Sequence, residues 1–356
     1  MTSRKLIVGG EFVFPPSLAL KPGLGQFSSY GGHLPEYRRQ YTFGAFYSLL
    51  SVLDAIPFKQ SDYALLPSYL CPTIIEPFRR KGIPYRFYKI KEGLRPDLED
   101  IDSKSGPGLK AVLFIDYFGF PQKQYLADMT GNLRGKGITV IQDTVQSWLD
   151  NEDDLFGDFC FNSVRKYCPF EASVLLSREA IRTGADTGMR LEYYWHRRTG
   201  QFLRYLHIKY GLFSPVTFLS HIEASNRLYH QPEILRMPTI NKWLLDKLDF
   251  ASMGKARKTV YKYLSDKLKL NLILEERQET PVPLGMAIYI TDRDDKRTEL
   301  HKRDIHCPVH WMLSDEIDKK EFAYSWDLQR HTLTLPINVN LAQLQEYTDK
   351  LREVLA

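Results

Sequence analysis

Apolar positions over residues 41–177 follow two alternating rhythms. Stretches with apolar residues three and four apart read as helices that bury one face, and short β-branched or aromatic runs between them read as strands. By this pattern residues 45–56 and 72–81 are helical, the second with a proline in its first turn, where a missing N–H costs least. Residues 63–67, 85–88, 111–116 and 138–143 read as strands. The alternation predicts an α/β fold, a mostly parallel sheet flanked by helices. Residues 192–230 predict a helical, amphipathic segment in which Tyr193, Tyr194, Trp195, Phe202, Tyr205 and Tyr210 interleave with Arg197, Arg198, Arg204 and Lys209. Its aromatics are expected in a core or subunit interface with its charges solvated, rather than on a membrane surface or nucleic acid. Beyond Pro238, a long helix over 249–268, apolar runs at 270–274 and 286–290, and a final helix over 341–355 predict a smaller α+β domain, with 275–283 as a surface linker. The expected division is an N-terminal arm over 1–19, a large domain over 20–245 and a small domain over 246–356.

A chain of 356 residues with 43% hydrophobic and 26% charged residues is long enough for a sizeable core and excludes long disorder. No apolar run approaches the ~20 residues of a membrane span. The apolar run at residues 6–8 is too short for a secretory leader, so a cytoplasmic protein is expected. Cys71, Cys160, Cys168 and Cys307 form no C-x-x-C pair, which points to reduced thiols. A net charge of +5 suits an anionic small substrate but falls short of a nucleic-acid signature.

Two predicted strands end in acids, Asp116 and Asp143. Ligands of open α/β sheets collect beyond the carboxyl ends of the strands, so both are candidates, although a helix cap or turn is the commoner role of a lone aspartate there. Some twenty residues after Asp143-Thr-Val-Gln146 comes Ser163-Val-Arg-Lys166. A pyridine cofactor held as a Schiff base needs a lysine amine, a carboxylate that keeps its ring nitrogen protonated, and donors for its phosphate. Lys166, Asp143 and Ser163 supply one each. The same Ser-x-x-Lys satisfies a hydrolase pattern, but Ser265-Asp266-Lys267 and Lys258-Thr259-Val260 only approximate its supporting motifs. His301, His306, Cys307 and His310 suggest a metal, yet Pro308 interrupts the helical spacing of His306 and His310 and no acid completes the set, so none is expected. Gly23-Leu24-Gly25 lacks the third glycine of a dinucleotide loop and reads as a turn.

In order, Gly44-Ala45-Phe46 at a helix start, Leu66-Pro67-Ser68-Tyr69-Leu70-Cys71, Asp116-Tyr117-Phe118-Gly119-Phe120-Pro121, Asp143-Thr-Val-Gln146, Ser163-Val-Arg-Lys166, Arg236-Met237 and Leu333-Thr334-Leu335-Pro336-Ile337 span most of the chain. This series resembles the nucleotide-sugar aminotransferase (DegT/StrS) family of fold-type I pyridoxal-phosphate enzymes. The resemblance implies a homodimer with pyridoxal 5'-phosphate as cofactor. Lys166 would form the aldimine, Asp143 would face the pyridinium nitrogen and Gln146 the phenolate oxygen. Ser163, or Asn162 in its place, would meet the phosphate with the backbone N–H groups of Gly44 and Ala45. Cys71 falls where the family sets a flat side chain against the ring, with Tyr69 as the substitute, and His310 falls on a loop that approaches substrate. The implied reaction is ping-pong transamination from a donor such as glutamate to a keto-sugar carried on a nucleotide. This chain departs from the family at four points: Ala45 replaces a hydroxyl residue, the Ser-to-Lys spacing is short, Glu171-Ala172-Ser173 stands where Gly-Gly is common, and Ile234 replaces an asparagine. These departures imply a divergent branch. Its alternative form is a non-catalytic or regulatory relative; sugar dehydration accompanies loss of the lysine, which this chain retains.

Overall fold

The computed structural model describes residues 6–149, 152–181, 191–231, 233–274 and 281–355. Strand β1 (Arg38–Thr42) leads into helix α1 (Ala45–Ala55), followed by β2 (Tyr63–Pro67), α2 (Pro72–Lys81), β3 (Tyr85–Tyr88), β4 (Leu109–Ile115), α3 (Lys123–Gly135) and β5 (Thr139–Asp143). Strands β6 (Phe159–Phe161) and β7 (Ser173–Ser177) complete a seven-stranded sheet of order β1-β7-β6-β5-β4-β2-β3. Neighbours from β6 to β3 pair in parallel, and β7 runs antiparallel to both β6 and β1. The α/β expectation and its strands are therefore met. Strand β2 is buried at all five positions, and β4 at every position but Lys110, as continuous apolar runs must be when helices cover both faces.

Three strands were not legible in the periodicity. Strand β1 opens with Arg38, Arg39 and Gln40 at the sheet edge, where polar residues are tolerated; β6 has only three residues; and β7 is bounded by serines. The segment 192–230 is two helices, not one: α4 (Leu191–Tyr210) and α5 (Pro215–Leu228). Between them Gly211 and Phe213 take left-handed conformations, and Ser214 caps α5 with Pro215 in its first turn. The expected solvation of its charges holds at the exposed Lys209 but fails at two arginines. Arg197 and Arg204 are buried, whereas Trp195, Phe202 and Tyr210 are exposed. Arg204 donates to the carbonyls of Gly9 and Glu11, and Arg197 pairs with Glu11 and Glu171, so the N-terminal segment and a buried acid supply what water would have supplied.

The C-terminal part contains α6 (Phe250–Lys267), β8 (Met286–Tyr289), α7 (Arg293–Lys302), α8 (Ala323–His331), β9 (Thr332–Leu335) and α9 (Leu344–Leu355). Strands β8 and β9 pair antiparallel. The apolar run 270–274 forms no strand; only Leu272 bridges to Ile288. The final helix begins as a 3-10 turn, Leu341–Gln343. Of the predicted linker 275–283, residues 275–280 lie outside the described residues. One hydrophobic core runs from the sheet (Leu65, Val112, Val140) through α6 (Val260, Leu264) to α9 (Tyr347, Leu351). Val8–Gly9 pairs in parallel with Ile305–His306, tying the N-terminal segment to the C-terminal part.

Candidate active site

The parallel strands point their carboxyl ends at one rim of the sheet, and the predicted chemistry collects there. Asp143 is the last residue of β5, paired in register with Ile115 at the end of β4, and the Asp116 N–H donates to the Asp143 carbonyl at 3.0 Å. The Asp143 carboxyl is 3% exposed and receives the Val145 N–H at 2.8 Å. Burial raises its pKa to about 7, against the opposing pull of that N–H and of the Lys166 charge. Asp116 is raised likewise to about 7 by burial. Its carboxylate accepts from the side chain of Gln142 at 2.8 Å, which fits a structural tie beneath the rim.

After β6, a single 3-10 turn, Val164–Lys166, carries the lysine. The Val164 N–H bonds the Ala172 carbonyl and the Lys166 N–H bonds that of Ser163, closing the turn. The Tyr167 hydroxyl donates to the Gln146 carbonyl, which locks this turn to the exit of β5. Burial is the main reason the Lys166 amine titrates below the ordinary lysine range; Cys71 and Asp143 pull the other way, and Arg165 adds to the depression. Those same interactions put Cys71, Asp143 and Arg165 within electrostatic range of Lys166. The His310 imidazole is also in range: burial and then the Lys166 charge push it down to about 3, so it is neutral at physiological pH. Its Nδ1 lies 2.9 Å from the Thr334 hydroxyl, and its ring packs edge-on against Phe118.

Gln146 is 2% exposed. Its Oε1 accepts the Phe118 N–H at 2.7 Å, which fixes the amide orientation, and its Nε2 is buried with no partner among the described residues. An orphaned buried donor beside a depressed amine and a carboxyl poised near 7 fits a ring that offers one acceptor oxygen, one basic nitrogen and one aldehyde. The residues present therefore fit pyridoxal phosphate at its ring end.

At the other end, Gly44 precedes α1, which has no side-chain cap. Its backbone is fully extended, so glycine is required there by space and not by conformation: a Cβ would lie 1.9 Å from the Tyr229 hydroxyl. Ser163 is buried at the start of the Lys166 turn. Asn162 Oδ1 is occupied by the Val174 N–H at 2.8 Å, tying β6 to β7. Tyr69 is fully buried, its hydroxyl donating to the His310 carbonyl and its ring packed against Tyr117 and Trp311. Cys71, half-buried, caps the approach to α2 with its thiol 3.0 Å from the Thr73 hydroxyl.

Two residues at this site escaped the sequence reading. Arg165 is adjacent to Lys166 and was legible as a cation beside the lysine. Tyr229 is more than sixty residues further along the chain, and nothing local signals that α5 delivers it to Gly44. Of the rival readings, His301 and His306 pair at 2.9 Å, but no group of three metal-ligating side chains exists among the described residues. His306 lies in a strand and His310 outside any helix, so the two do not share a helical face.

No family model and no curated protein matches the sequence. Solved structures do match by shape. An aminotransferase of Brucella abortus described as DegT DnrJ EryC1 StrS superposes with a TM-score of 0.66 at 15% identity, over 96% of this chain and 91% of that one. Helicobacter pylori PseC, an aminotransferase involved in the biosynthesis of pseudoaminic acid, gives 0.70 at 12% identity, over 98% and 99%. A Bacillus subtilis protein solved with bound cofactor PMP gives 0.61 at 13% identity, over 97% and 78%. This chain therefore shares their fold, nearly end to end.

Proposed function

We propose that this protein is a pyridoxal-phosphate-dependent aminotransferase of the DegT/StrS type. The observation that carries the proposal is the meeting of Lys166, Asp143 and the unpartnered Gln146 amide at one strand rim. The shared fold with structures described as aminotransferases, and with a protein solved with bound PMP, supports the same reading. When bound, pyridoxal phosphate supplies an electron sink that lets an amino-bearing carbon release its proton. Lys166, its amine kept below the ordinary range by burial, takes that proton and returns it one position away. Asp143 would hold a proton at the ring nitrogen, and Gln146 Nε2 would donate to the ring oxygen. His310, neutral and beside Lys166, lines the substrate side. Cys71 would border the ring, and Ser163 with the N–H groups of Gly44 and Ala45 would hold the phosphate.

The amino donor proposed is an amino acid such as glutamate, and the acceptor a keto-sugar nucleotide or related carbonyl compound in polysaccharide biosynthesis. A homodimer, a cytoplasmic location and a domain boundary near residue 245 belong to the same proposal. No helix among the described residues is long and apolar enough to cross a membrane. The test is an absorbance spectrum with pyridoxal phosphate, before and after borohydride, for wild type and Lys166→Ala. A visible band that borohydride fixes to Lys166, absent from the variant, is expected. No band at saturating cofactor would overturn the proposal and leave the fold to a binding role.

A further inference from the structure

The hairpin of α4 and α5 is anchored at its base and bare at its tip. At the base, Tyr193 and Tyr229 belong to the core around Phe43 and Tyr47. The two helices then close on each other at Gly200, where a Cβ would lie 2.8 Å from the Ile222 side chain. Beyond that crossing the hairpin packs on itself. Among the described residues, the hydrophobic cores include no side chain from 205 to 219. Ile208, Tyr210, Leu212, Phe213, Val216 and Leu219 are exposed there, Val216 to 76%. A contiguous run of large exposed apolar and aromatic side chains marks an interaction surface.

Three features decide what covers it. The chain carries no acid between Glu192 and Glu223, while Lys209 is exposed beside the tip. Its ammonium lies over the rings of Tyr205 and Tyr210, at 5.3 and 4.9 Å, so a belt of aromatic rings and positive charge stands behind the apolar tip. That arrangement suits the headgroup level of a bilayer. The turn also satisfies its own backbone. The Gly211 N–H donates to the His207 carbonyl at 2.9 Å, the His207 Nδ1 lies 2.8 Å from the Phe213 carbonyl, and the Ser214 hydroxyl accepts the Thr217 N–H. Backbone groups paired in this way lose little on leaving water. Finally, two copies meeting across a two-fold axis at this face would set Lys209 against Lys209 with no acid in the hairpin to offset them, which disfavours self-association.

We propose that the tip of this hairpin docks on the surface of a phospholipid bilayer that carries anionic headgroups. Its apolar side chains enter the acyl boundary of one leaflet, and Lys209 extends to the headgroup phosphates. Neither helix is long and apolar enough to cross a membrane, so the hairpin lies on the bilayer and does not span it. The surface shares no residue with the strand rim and does not rest on the cofactor reading.

The full-length protein is sedimented with vesicles of phosphatidylcholine alone and of phosphatidylcholine mixed with phosphatidylglycerol. Wild type should sediment with the mixed vesicles. A triple variant, Leu212→Ser, Val216→Ser and Leu219→Ser, should bind them at least about tenfold more weakly. Its urea midpoint should be unchanged, because these side chains already face water. Lys209→Gln should weaken binding to the mixed vesicles about fivefold and leave binding to phosphatidylcholine alone as it is. In Val216→Trp, the emission gained over wild type should shift to the blue on the mixed vesicles. Wild type left in the supernatant, equal binding by the triple variant, or an unshifted Val216→Trp emission would overturn the proposal. Gel filtration gives the last arm: a smaller species in the triple variant than in wild type would make this face an interface between copies of the chain, and the proposal would fall.

Discussion

Replacing Gly44 by alanine tests the packing at the start of α1 with a magnitude taken from the structure. The new Cβ would lie 1.9 Å from the Tyr229 hydroxyl, whereas ordinary contact begins at 3.4 Å. The phenol must therefore withdraw by about 1.5 Å, and in a close-packed interior such a shift costs about 1–3 kcal/mol. Because Gly44 is extended, with φ 178°, alanine adopts its backbone freely and recovers about 0.4–1 kcal/mol from the unfolded chain. The net destabilisation expected is about 1–2 kcal/mol. In a Tyr229→Phe background the obstructing oxygen is gone and the nearest atom becomes the ring carbon Cζ at 3.2 Å, so Gly44→Ala should be close to neutral. Urea unfolding of the four proteins, followed by circular dichroism, reads the coupling, expected at about 1–2 kcal/mol. An equal cost of Gly44→Ala in both backgrounds would refute the placement of Tyr229 over Gly44.

Further expectations follow from buried charge. The Asp143 carboxyl titrates at about 7 in the fold and near 3.9 when unfolded, so the folded chain keeps a proton the unfolded chain has released. Its contribution to the stability of the cofactor-free protein is thus full below about pH 4, falls by up to ~4 kcal/mol as pH rises to 7, and is flat above; Asp143→Asn should make the slope of unfolding midpoints across pH 4–8 shallower, leaving the share of Asp116, which is raised likewise. His310 acts with the opposite sign: its folded value of about 3 lies below the unfolded 6.5, so stability is present above pH 6.5 and lost as pH falls toward 3. His310→Gln should flatten that acid limb in the same measurement. Glu171 is 1% exposed, and although burial alone would raise its pKa, Arg198 and Arg197 hold it below the ordinary range. Glu171→Gln leaves both guanidinium groups without their shared acid and should cost about 3–5 kcal/mol by urea unfolding; a loss under ~1 kcal/mol would refute this pairing.

The sequence by itself determined the parallel sheet and most of its rim. Runs such as 63–67 and 111–116 are apolar because strands covered on both faces can hold little else, and that constraint is written locally. The acids that end β4 and β5 and the lysine after β6 were legible for the same reason, since strand ends recur at one edge of such a sheet. Tertiary structure alone decided how the segment 192–230 is used. Its Arg197 and Arg204 look like solvated helix charges until Glu171 and the carbonyls of the N-terminal segment are brought to them. Likewise no local pattern marks Tyr229, because its partners Gly44 and Arg165 are far away along the chain. Periodicity records which face of an element meets the core; it does not record which distant residue waits there, and Tyr229 stands over Gly44 and under Arg165 only once α1, α5 and the Lys166 turn have packed.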